Sequence, residues 1–224
     1  NYDDYQAEIS LQNGYIIFKI DSNGKLLWAN VYQSNDNIMV NNIVENIDGG
    51  IYISGYYYDD VYDSNNNIIY KKNSDSRLEG ILIKMDSNGE ICFSKQLGKT
   101  FYSGLVRKNG DYLVTCYFDG NYEYKNGEII IDTKYSTTHC LVISYSLEGK
   151  INWYKDICMG GNAPLNVRAC EALDGGLAVY ITASDGDLNV DNDFSYSITD
   201  QWDDIFLVKY DKNNNFEWGR ILDE

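Results

Sequence analysis

The chain has 224 residues, with 34 Asp plus Glu against 18 Lys plus Arg and a formal charge of -16, which excludes a nucleic-acid or anionic-membrane partner because phosphate binding needs a basic face. At 44% hydrophobic and 14% aromatic, it holds enough apolar material for a core and is not a disordered chain. Its longest apolar runs, YIIF at 15–18 and IFLV at 205–208, fall far short of the ~20 residues that a membrane-spanning helix needs, so no membrane insertion is expected. The opening residues NYDDYQAEIS lack the basic and apolar regions of a signal peptide, so no address is readable there.

Tyr, Ile, Val and Phe favour pleated surfaces, while Gly and Asn supply turns. With 21 Tyr, 19 Gly and a single Pro, the expected class is all-β.

Taken in chain order, the elements repeat. YIIFKIDSNGKLLW at 15–28, GILIKMDSNGEICF at 80–93, CLVISYSLEGKINW at 140–153 and IFLVKYDKNNNFEW at 205–218 align without a gap. In each, a turn residue is followed seven positions later by a large aromatic: Asp21 with Trp28, Asp86 with Phe93, Ser146 with Trp153, Asp211 with Trp218. Successive turn residues lie 65, 60 and 65 positions apart. Between them a second module recurs, IDGGIYISGYY at 47–57, KNGDYLVTCYF at 108–118 and LDGGLAVYITA at 173–183.

Each module has the pattern of a β-hairpin, alternating apolar runs around a short polar turn. Two hairpins per period give a unit of four antiparallel strands, a to d, and tandem units of 60–65 residues predict the blades of a β-propeller. The single segment 1–224 then holds an outer half blade at 1–33 and full blades at 41–97, 101–157 and 165–222. Three blades and part of a fourth predict a fragment of a larger ring, to be closed by remaining blades or by a second copy, since open sheet edges invite association. Strands a and b are expected at 41–47/51–57, 101–107/111–118 and 165–172/177–183, and strands c and d at 15–20/25–32, 80–85/90–97, 139–145/150–157 and 204–210/215–222. Long segments at 58–78, 119–137 and 184–202 separate b from c, each with a β-prone patch expected to form a small extra hairpin. Loops of such length inside a compact repeat read as a functional face.

These residues resemble the bacterial β-propeller repeat proteins whose blades run approximately DGGYIVAGY, a loop, then DIFLIKLDSNGNVLW. DGGIYISGYY paired with ILIKMDSNGEICF, and DGGLAVYITA with DIFLVKYDKNNNFEW, carry the likeness across essentially the whole chain. It implies a propeller acting as a recognition or scaffold module, secreted or at a cell surface. Phe93 in place of Trp and NGD in place of DGG depart from the pattern. KIDSNGKLLW is also distantly similar to the docking repeat of quinoprotein dehydrogenases, whose cofactor is held by a cysteine pair; no adjacent Cys-Cys occurs here. Trp28, Phe93, Trp153 and Trp218 are accordingly read as aromatics packed between neighbouring blades.

Catalytic groups are hard to assemble. Cys92, Cys116, Cys140, Cys158 and Cys170 form no CxxC pair and read as small buried hydrophobes. Such thiols leave a cytosolic setting open beside an exported one. The one histidine, His139, adjoins Cys140, but neighbours on a strand point to opposite faces, and no orienting carboxylate stands nearby in sequence.

Asp185, Asp187, Asp191 and Asp193 read first as solvated loop charge. Their alternate oxygen ligands also suit calcium, without the spacing of an EF-hand; no other cofactor is expected. Loop tyrosines are the remaining signal: Tyr57, Tyr58 and Tyr62, then Tyr122 and Tyr124, then Tyr196 with Trp202. Aromatics with a polar tip bury large area at low entropic cost in recognition surfaces. The expectation is a non-enzymatic module that binds a protein or glycan through these loops; the alternative is a carbohydrate-active enzyme, a glycosidase or lyase, using the acidic loop residues.

Overall fold

The computed structural model describes residues 11–72, 77–97, 100–119, 121–125, 128–132, 138–159, 166–183, 186–190, 194–198 and 204–222. Among these the chain is all strand and turn, without a helix. It divides into two compact units, Asn1–Lys99 and Thr100–Glu224.

The first unit contains β1 (Asn13–Ile20), β2 (Leu26–Ser34), β3 (Ile38–Glu45), β4 (Ile51–Tyr57), β5 (Val61–Tyr62), β6 (Ile68–Tyr70), β7 (Glu79–Met85) and β8 (Ile91–Leu97). They form two four-stranded antiparallel sheets, ordered β1-β2-β5-β6 and β3-β4-β7-β8. The second unit contains β9 (Thr100–Val106), β10 (Tyr112–Asp119), β11 (Asn121–Lys125), β12 (Glu128–Asp132), β13 (Thr138–Tyr145), β14 (Ile151–Met159), β15 (Asn166–Glu171), β16 (Leu177–Ala183), β17 (Gly186–Val190), β18 (Phe194–Ile198), β19 (Asp204–Tyr210) and β20 (Phe216–Leu222). Here a six-stranded sheet, β9-β10-β13-β14-β17-β18, lies beside a four-stranded one, β15-β16-β19-β20, and β11-β12 is a separate hairpin. Among the described residues no sheet closes on itself.

The repeated turns explain the repeated hairpins. At Asp21 the side-chain Oδ1 accepts the N–H groups of Asn23 at 2.9 Å and Lys25 at 2.8 Å, which folds the chain back within four residues. Asp86 and Asp211 do the same, and Ser146 substitutes its hydroxyl, accepting from Glu148 and Lys150. A register shift recurs just before each turn, at Lys19/Ile20, Lys84/Met85, Ser144/Tyr145 and Lys209/Tyr210, so the aromatic seven positions on pairs with the residue two before the turn: Trp28 with Lys19, Phe93 with Lys84, Trp153 with Ser144, Trp218 with Lys209.

Small extra hairpins form in the long stretches as expected, β5-β6, β11-β12 and β17-β18. Their pairing is not readable from the sequence: β5 pairs with β2 of the preceding hairpin, at Gln33↔Tyr62 and Ser34↔Val61. Likewise β17 pairs with β14, from Ile157↔Val190 to Met159↔Leu188. Each insertion therefore extends the sheet before its own. Backbone groups at a sheet edge need partners, and these hairpins supply them.

Cores lie between the sheets of each unit. In the first, Ile17, Tyr32, Val61 and Tyr70 of one sheet meet Ile53, Ile81, Ile83 and Met85 of the other. In the second, Cys140, Val142, Leu188 and Val190 meet Val179, Phe206, Val208 and Tyr210. At roughly 25 cal/mol per Å² of buried apolar area, these contacts supply the main driving force for the stacking of sheets.

Candidate functional site

Trp28 joins the two sheets of the first unit. Its indole N–H donates to the Ser87 carbonyl at 3.0 Å, and its ring lies on Gly89, where an added Cβ would fall 2.6 Å from Cδ2. Gly89 has φ +87°, so both the turn and the close approach of the indole require glycine there. Asn30 completes the joint by donating to the Gly89 carbonyl at 2.8 Å. In the second unit Trp153 packs against the inter-sheet core, Lys155 Nζ lies 5.2 Å above the Tyr210 ring, and the Arg107 guanidinium joins Glu171 at 3.2 Å and the Gly175 carbonyl at 2.8 Å. Phe93 sits 6.2 Å from Tyr52. Trp218 is exposed, with the Arg220 guanidinium 5.4 Å over its ring.

The tyrosines separate into core and surface. Tyr57 is expected at a binding surface, but it is fully buried. Its hydroxyl accepts from Gln96 and reaches the Lys71 carbonyl at 3.4 Å, and burial pushes the phenol well above its ordinary range. As the last residue of β4 it follows the inward phase of that strand, which sequence position near a loop does not reveal. Tyr58 and Tyr62 are half-buried, and Tyr58 meets Tyr56 edge-on at 5.8 Å. Tyr196 leans on Phe206 at 5.6 Å, so much of its ring serves the hairpin's own packing. Tyr122 and Tyr124 stand opposite Ile131 and Ile129 in the β11-β12 register. Trp202 lies outside the described residues.

Backbone around the surface tyrosines is held firmly. The Tyr58 N–H donates to the Asn37 carbonyl at 3.0 Å, Asp60 accepts the Lys72 N–H at 2.8 Å, and the buried Gln33 amide donates to the Asp63 carbonyl and Asn66 Oδ1, both at 3.0 Å. Asp63 closes the β5-β6 turn by accepting from Asn65 and Asn67; the Asn67 side-chain amide and backbone N–H hold its carboxyl below the usual range.

Of the acidic group offered for calcium, Asp185, Asp191 and Asp193 lie outside the described residues. Asp187, exposed on β17, accepts a hydrogen bond from the Ser197 hydroxyl across the hairpin. Among the described residues no three acidic, His or Cys side chains converge as metal ligands.

His139 does have an orienting carboxylate, contrary to the reading of its neighbours: Asp156 Oδ2 and Oδ1 lie 2.9 and 3.1 Å from Nδ1. Asp156 sits on β14, opposite Leu141 and one cross-strand step from His139, a proximity that only strand pairing creates. Cys116 lies on the neighbouring strand, also opposite Leu141. The thiol is buried and burial pushes its pKa far up, so it is a packing group, not an activated nucleophile. Cys92 and Cys170, by contrast, are exposed, which corrects their assignment as buried hydrophobes.

A void of about 20 Å³ lies between the two sheets of the first unit, lined by Ile17, Tyr32, Val61, Tyr70 and Ile81 among others. It has room for roughly one water and cannot hold a substrate. Compared with protein-family models and with curated proteins, the chain matches none.

Proposed function

We propose that the chain is a non-catalytic recognition or scaffold module built as a β-propeller segment of the bacterial repeat type, working outside the cell or at its surface and binding a protein or glycan. The carrying observation is the pairing of half-exposed Tyr58 and Tyr62 with a backbone fixed by Asn37, Gln33 and Asp60. Aromatic side chains on pre-organised backbone bind with little ordering cost. Four hairpins with one turn chemistry, and in the first unit an indole seated on the next sheet's turn, support the blade reading. Tyr58 and Tyr62 thus replace the wider tyrosine set as the contact residues.

The test is a glycan array together with affinity capture of surface proteins on the immobilised chain. Replacing Tyr58 and Tyr62 together by alanine should weaken retained binding by about tenfold or more. Binding indifferent to both substitutions would overturn the assignment of this surface. Turnover of a polysaccharide, abolished by Asp187→Asn, would overturn the non-catalytic reading.

A further inference from the structure

One joint seen between the sheets of the first unit has its two halves repeated, exposed, elsewhere in the chain. The receiving half is a hairpin face with a turn. On β7 that face carries Ile81, Ile83 and Met85, none more than 6% exposed, and its Ser87-Asn88-Gly89 turn seats Trp28. At the same positions of β1 stand Ile16, Phe18 and Ile20, which are 40, 56 and 44% exposed. The turn beside them, Ser22-Asn23-Gly24, has the same residues and the same left-handed glycine. Leu27, at the register shift of the adjoining strand, is exposed as well, and exposed apolar side chains clustered along one strand face mark an interaction site.

The inserting half is the β19-β20 hairpin. Trp218 pairs with Lys209 as Trp28 pairs with Lys19, and it is 40% exposed. Leu222 occupies the position of Tyr32; Tyr32 is buried by the joint, whereas Leu222 is half exposed. Arg220 stands two residues beyond Trp218, as Asn30 stands beyond Trp28. Seated in the same way, its guanidinium would reach the Gly24 carbonyl beside the exposed Asp21 carboxylate, a complementary charge that the Asn30 joint lacks.

We propose that the β1-β2 face of one chain receives the β19-β20 hairpin of a second copy, with Trp218 seated on the Ser22–Gly24 turn. The contact is head to tail, because donor and receiver are different surfaces. It can therefore add copies in series, unlike a two-fold dimer.

Sedimentation of the full 224-residue chain over the micromolar range tests this. The expected result is a mass that grows with concentration, with Trp218→Ala weakening association about tenfold or more, and Phe18→Glu doing the same from the other side. Both residues are exposed, and circular dichroism with thermal melting confirms that each variant folds. The two variants mixed should then form a complex of two chains and no larger, since one retains an intact inserting half and the other an intact receiving half. A single-chain mass throughout, association insensitive to both substitutions, or failure of the variants to complement one another would each overturn the proposal.

Discussion

The ammonium of Lys84 lies 2.6 Å from the carboxylate of Asp48, and Lys209 repeats the contact with Asp174 at 2.9 Å in another sheet. Each pair ties the turn between the first two strands of its sheet to the third strand. In the sheet between them in sequence, Asn109 stands for the aspartate and Ser144 for the lysine. The third member changes as well: Asp111 replaces the glycine found at Gly50 and Gly176. A Cβ on Gly176 would meet the Tyr210 carbonyl oxygen as well as Lys209 Nζ, and one on Gly50 would meet the Met85 carbonyl oxygen, so close backbone approach favours glycine at both. In the sheet with serine at 144, Asp111 accepts from the Asn109 amide at 2.8 Å.

The pair predicts an ordering of variants. Lys84 is buried, whereas Asp48 is substantially exposed. Asp48→Ala takes the carboxylate from a buried ammonium and should cost more stability than Lys84→Met, which releases Asp48 to water; the difference is expected on the order of 1 kcal/mol. Urea titrations of both variants check this. Equal losses, or a greater loss in Lys84→Met, would show the contact to be worth no more than a surface pair.

A second prediction concerns Gly89. Asn214 occupies the corresponding turn position in the last hairpin at φ +64°, so asparagine is compatible with the turn itself. Gly89→Asn should nonetheless destabilise by about 2 kcal/mol or more, because the side chain must displace the Trp28 indole. Asn214→Gly should change stability by a few tenths of a kcal/mol. Melting curves, with tryptophan emission reporting the Trp28 environment, separate the two; equal effects would mean that the indole is not firmly seated.

Acid should act on the turns individually. The carboxyls of Asp21, Asp86 and Asp211 are each held below 3.8, chiefly by the backbone N–H of the residue four positions on. A folded-state value below the unfolded one gives stability that is present above the unfolded value, about 3.9, and lost as pH falls through the folded value. Loss of net negative charge on acidification acts in the opposite sense for a chain this acidic, so a difference between variants is the informative measurement. Asp86→Ser introduces the non-titrating acceptor that Ser146 already provides. The stability gap between the native chain and Asp86→Ser should shift in favour of the variant between pH 5 and 2; a gap independent of pH would remove the turn carboxylate as a source of acid sensitivity.

Much of the strand pattern was legible because two signals coincide: alternation along each run, as in Ile81, Ile83 and Met85, and the Asp-x-x-Gly turn that reverses it. Pairing between repeats was not. Residues 61–70 show a hairpin pattern, but nothing local says that β5 bonds to β2, some thirty residues upstream. The same limit hid Asp156 from His139, since a cross-strand step joins residues that sequence separates by seventeen positions. Tyr57 was misplaced for a simpler reason: at a strand end, alternation and loop proximity make opposite predictions, and alternation prevailed. The Lys84–Asp48 pair has a signal in the sequence, the joint change at Asn109, Asp111 and Ser144.

The borrowed hairpins also order events in time. Strand β14 leaves the ribosome before residues 186–198 have emerged, so its outer N–H and C=O groups stay uncovered while more chain is translated. A nascent polypeptide of this design carries a sticky border on β2 until residues 61–70 arrive and on β14 until residues 186–198 do, and in both cases the later insertion seals the sheet made before it.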